Sequence, residues 1–85
     1  METMLVTVDA STLYIQFDEV VNRGVIVVTD SKGKEVVRKT VIDSNFETIS
    51  LKQLQGKYRI DFESGKLHLK RTVRLGNRSE NLKTH

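Results

Sequence analysis

ISLKQLQGKYRIDF, residues 49–62, is the stretch whose reading decides the fold. Its second half alternates strictly. Tyr58, Ile60 and Phe62 share one parity, and Arg59, Asp61 and Glu63 the other. A period of two is that of a strand with one apolar and one wet face. The first residues of the stretch end another strand, Phe46 to Leu51, with Ile49 and Leu51 on one parity and Phe46, Thr48 and Ser50 on the opposite one. Leu54 and Gly56 close the turn between them.

Working outward, the same pattern recurs. Met4–Val8 is a short apolar run, and Leu13, Ile15 and Phe17 alternate with Tyr14 and Gln16. Asp18 to Gly24 reads as a loop. Val25–Val28 is an unbroken β-branched run suited to a central strand. Asp30-Ser31-Lys32-Gly33 is a turn with Gly where positive φ is wanted, and Glu35–Val41 returns from it as a charged edge. Asp43-Ser44-Asn45 is a second turn cluster. Ser64-Gly65 is a hairpin signal, after which Leu67, Leu69, Val73 and Leu75 share a parity that Arg71 interrupts. Arg71 therefore marks a bulge or a place beyond the edge of the core.

About seven strands with turn signals every eight to twelve residues predict an all-β antiparallel sandwich. The first, second and fifth runs are assigned to one sheet, and the third, fourth, sixth and seventh to the other. The expected core is Val6, Leu13, Ile15, Phe17, Val25, Val27, Ile49, Leu51, Leu54, Tyr58, Ile60, Phe62, Leu67, Leu69 and Val73. The sandwich is placed at residues 1–75, and residues 76–85, polar and aperiodic, read as a flexible tail.

Leu51-x-x-Leu54-x-Gly56-x-Tyr58 resembles the tyrosine corner of immunoglobulin and fibronectin type III domains. The resemblance implies that the Tyr58 hydroxyl bonds back to upstream backbone. A wider set is more particular: Leu13-x-Ile15, Val25 to Asp30, Gly33-Lys34-x-Val36, Ile49-Ser50-Leu51, the corner itself, then Gly65 and Lys70. Over residues 13–75 it resembles the C-terminal sorting domains of the type IX secretion system. It is also similar to a related family of small exported domains of unknown function with an immunoglobulin-like fold. The sorting domains usually open on an Asn-Pro turn and stop soon after the last strand. This chain has no proline, and residues 76–85 follow Leu75. The resemblance implies an immunoglobulin or fibronectin type III-like sandwich at the cell surface, in the periplasm or secreted, without catalysis.

Composition excludes several chemistries. With 85 residues, one domain is expected. Cysteine is absent, which removes disulfides, zinc–thiolate sites and cysteine nucleophiles. No apolar run reaches the roughly 20 residues that span a bilayer. The opening METMLVTVDA carries two acids and no long apolar segment, so it does not read as a signal peptide; either the protein is cytosolic or a leader has been removed ahead of Met1. His68 and His85 are the two histidines, too few for a zinc site or a held Ser-His-Asp set. Asp9, Asp18, Glu19, Asp30 and Asp43 lack the spacing of a calcium loop. No lysine precedes Lys32, against a first-strand isopeptide staple. No catalytic residue, metal or cofactor is expected, nor a small-molecule substrate.

The charge is uneven. Residues 1–63 carry eight Lys/Arg and ten Asp/Glu, and residues 64–85 six Lys/Arg and one acid, so a net +5 at the end meets −2 before it. On the last strand His68, Lys70, Thr72 and Arg74 share one parity. They form a face for an acidic protein or a surface partner, or a plain solvated face. Stacking aromatics are missing from residues 63–85, which argues against nucleic acid. Tyr14 and Gln16 point outward from the second run, as an interface anchor or as cross-strand packing. The expected function is a small exported module that binds a protein or surface partner; the alternative is a sorting or anchoring domain of a larger secreted protein.

Overall fold

A computed structural model describes residues 3–51 and 55–75. The described strands are β1 (Met4–Asp9), β2 (Thr12–Thr29), β3 (Glu35–Ser50), β4 (Gly56–Ser64) and β5 (Leu67–Leu75). All pairings are antiparallel. Seven runs become five strands because two expected breaks are bends. The second and third runs join in β2, and the fourth and fifth in β3.

The joint is a bulge. Gln16 pairs with Phe46 and Val21 with Ser44, so five steps along β2 oppose two along β3. Surplus residues on one strand bend it and increase its twist. Asp43 takes φ 51° there, a left-handed conformation that Asp tolerates better than most residues. Both strands thereby leave one layer and enter the other. In the first layer β2 (Thr12–Gln16) lies between β1 and the end of β3. In the second, Val25–Thr29 of β2 lies between the start of β3 and β4, and β5 closes the order beyond β4. Run by run, these are the two sheets assigned from the sequence.

Phe17, Phe62, Met4, Leu13, Ile15, Ile26 and Ile60 are fully buried between the layers. Phe17 from the first layer meets Phe62 from the second at 4.5 Å between ring centroids, tilted by 48°. Gly24 makes room for this contact: a Cβ there would sit 2.5 Å from Phe62 Cε1.

The core differs from expectation at one run. Val25 and Val27 are only half-buried and face outward, while Ile26 and Val28 are buried. Paired residues share a face, and β4 sets it. Ile26 opposes Phe62 and Val28 opposes Ile60, both inward. A run of four β-branched residues carries no alternation from which to read this. Met4, Val21, Val41 and Leu75 join the core, whereas Val6, Leu67, Leu69 and Val73 pack on it half-exposed. Leu54 lies outside the described residues. Arg71 sits in unbroken register opposite Ile60, so β5 has no bulge there; Arg71 is a core-parity residue that is exposed on an outer strand.

Candidate partner-binding face

The outer face of the second layer is built by alternation on four strands. The pairs facing solvent are Glu63 with His68, Asp61 with Lys70, Arg59 with Thr72, and Lys57 with Arg74. All four residues singled out on the last strand, His68, Lys70, Thr72 and Arg74, are exposed on β5. Their electrostatic settings differ along the strand.

At the His68 end the acids have partners. His68 Nε2 donates to Asp61 Oδ1 at 2.8 Å, and His68 Nδ1 lies 3.9 Å from Glu63 Oε2. Arg59 Nε donates to Asp61 Oδ2 at 2.8 Å. Asp61 was read as a wet-face residue, yet it is 7 % exposed. Burial opposes its ionisation, but the bonds from His68 and Arg59 outweigh it and hold the carboxyl below its ordinary 3.8. Further along the face, Arg38 forks onto Glu35 through Nε and Nη2 at 3.1 and 2.9 Å. Val27, Thr29, Arg38, Arg59, Asp61, Glu63 and His68 line an open depression of about 250 Å³.

At the other end cations predominate, although Lys70 lies opposite Asp61. Lys57 and Arg74 sit directly opposite, with Thr72 and Lys70 next along β5. β5 itself contains no acid. Like charges directly across a strand pair repel. Sequence reasoning located the basic side chains on β5 but missed Lys57, whose place beside Arg74 depends on register. It also missed that His68 is taken up by carboxylates of its own sheet.

Two further features were singled out. Tyr58 is buried, and its hydroxyl donates to the Gln55 carbonyl at 3.1 Å, while Gly56 takes φ 105° beside it. On the outer face of the first layer Tyr14 stacks on Phe46 at 6.3 Å and 21° across the β2–β3 pair. Phe46 is 47 % exposed and Leu5 57 %. Gln16 Nε2 is turned to the carbonyls of Asn45 and Phe17, at 3.3 Å each.

Among the described residues, no group of three or more His, Cys, Asp or Glu side chains is placed to hold a metal ion. Among them also, no helix is long and apolar enough to cross a membrane. No protein-family model and no curated protein matches the chain. A solved structure does: a DUF3244 family protein with an immunoglobulin-like β-sandwich fold from Bacteroides vulgatus. It is similar with a TM-score of 0.76 and 20 % identity, over 86 % of this chain and 83 % of that one. The chain thus has the fold of an immunoglobulin-like β-sandwich.

Proposed function

We propose that this chain is a non-enzymatic, exported module that binds a protein or cell-surface partner through the outer face of β4 and β5. The observation that carries the reading is the exposed strip Lys57, Lys70, Thr72 and Arg74, whose one facing acid is Asp61, opposite Lys70 and already bonded to His68 and Arg59. A strip of one sign raises the local concentration of an oppositely charged partner and speeds its capture.

His68 is not placed for acid–base catalysis. Both of its ring nitrogens face carboxylates, so neither is turned to a hydroxyl whose proton it could take. Asp61 is held ionised by its partners rather than poised near neutral pH, where an acid–base group works best.

The test is made in the cells that produce the protein. A photocrosslinking residue at Thr72, with an antibody to the domain, should give one adduct in the exported or surface fraction. Neutralising Lys70 and Arg74 to Gln should remove that adduct. A product confined to the cytosol, or an adduct indifferent to both substitutions, overturns the proposal.

A further inference from the structure

We infer that the free edge of β5 takes up an extended acidic peptide as an added strand, one whose acids alternate with apolar residues. This rests on the reading of the β4–β5 face as the docking surface and names the chemistry of its partner.

Three observations converge on that edge. β5 pairs with β4 in unbroken register over nine residues, and no described strand hydrogen-bonds to its other side, although β1 of the first layer packs against β5. A long regular edge is a template for another strand unless it is guarded. Arg71 Nη1 donates to the Lys70 carbonyl at 2.7 Å, so this acceptor is held by a side chain of its own strand, which an incoming N–H would displace.

The guard itself selects the occupant. Lys70, Arg71 and Arg74 are all cations, and β5 has no acid. A second copy of β5 would bring like charge to the same edge, which disfavours self-pairing. An acidic strand meets the reverse. Residues on one face of a strand recur about every 6.8 Å. An added strand keeps that repeat, so acids at every second position lie in step with Lys70, Thr72 and Arg74. The intervening side chains turn to the inner face, where Leu67, Leu69 and Val73 are only half-buried and Arg71, of the same parity, is exposed. Apolar residues there would complete the cover that β5, as an outer strand, lacks. Main-chain bonds supply affinity in this mode and alternating side chains supply selectivity.

The probe is a labelled peptide as long as β5, nine residues, alternating Glu and Val. It is titrated into the folded protein at low salt by fluorescence anisotropy. Binding is expected, weakening as salt rises, with amide exchange slowed along β5. Lys70→Gln with Arg74→Gln should weaken it about tenfold or more. Two further peptides carry N-methyl groups on all Glu or on all Val residues. One of the two must lose about tenfold in affinity, because alternate N–H groups face the pairing edge. Equal binding by both N-methylated forms overturns strand addition. So does equal binding by a peptide of the same composition with its Glu residues in one block. If no peptide binds but a sulfated polysaccharide does, and needs Lys70 and Arg74, the basic face stands and this inference falls. If neither probe binds, both fall.

Discussion

Phe62→Ala tests the packing on which the sandwich rests. Phe62 is fully buried, meets Phe17 at 4.5 Å across the two layers, and lies over Gly24. A Phe side chain buries about 200 Å², and at about 25 cal/mol per Å² its transfer alone is worth about 5 kcal/mol. Alanine keeps part of that, and the cavity left behind adds a penalty, so about 3–5 kcal/mol should be lost. A domain of 85 residues has about 4–13 kcal/mol in all. The variant should therefore sit near its folding limit, read as a large fall in the urea midpoint at unchanged slope. A second substitution isolates the contact. In the native background Gly24→Ala drives a methyl into the Phe62 ring, and overpacking of this kind costs about 1–3 kcal/mol. With the ring removed, the same methyl loses its two closest clashes and keeps a tight 3.0 Å approach to the Glu63 carbonyl oxygen, so it should cost less, giving a coupling of about 1 kcal/mol or more. A loss below about 1 kcal/mol for Phe62→Ala, or additive effects within about 0.5 kcal/mol, would refute the inward placement of Phe62 against Gly24.

The remaining expectations are as direct. Tyr58→Phe removes the hydroxyl that reaches the Gln55 carbonyl and should cost about 0.5–1.5 kcal/mol in urea unfolding; no change would show that water replaces the bond without loss. Asp61 ionises more readily folded than unfolded, since its carboxyl is held below 3.8. Its contribution is thus present above that value and is lost as pH falls through the lower, folded one. Urea midpoints taken from neutral pH into that acid range should fall more steeply for the native chain than for Asp61→Asn, and identical slopes would contradict this. Neutralising Lys70 and Arg74, both exposed, should leave thermal stability almost unchanged while abolishing retention on an acidic matrix at low salt. A large drop in melting temperature would make these residues structural instead.

Much of the fold is legible in short patterns. Tyr58-x-Ile60-x-Phe62 and Leu13-x-Ile15-x-Phe17 declare which way they face, because the period of a strand is local. The composition of β5 likewise declares a basic strand. Other features are silent for a physical reason. Val25–Val28 has no polar residue to mark its wet side, so its orientation waits for Phe62 and Ile60 to pair with Ile26 and Val28. Asp18–Gly24 and Asp43–Asn45 carry loop-like residues, yet they bend continuous strands, and a bulge is visible only once both strands are aligned. The matched and unmatched ends of the outer face are also products of register, since His68 and Asp61 are seven residues apart in the chain and 2.8 Å apart in space.

What the chain alone determined is the β class, the residues able to fill a core, the lack of cysteine chemistry and the gathering of cations toward its end. These follow from side-chain type and a spacing of two, both properties of neighbours along the backbone. Only the tertiary structure decided that seven runs are five strands, that Asp61 is buried with His68 and Arg59, and that Lys57 meets Arg74. Pairing joins residues distant in sequence, and which charges cancel and which remain depends on what each strand finds opposite it.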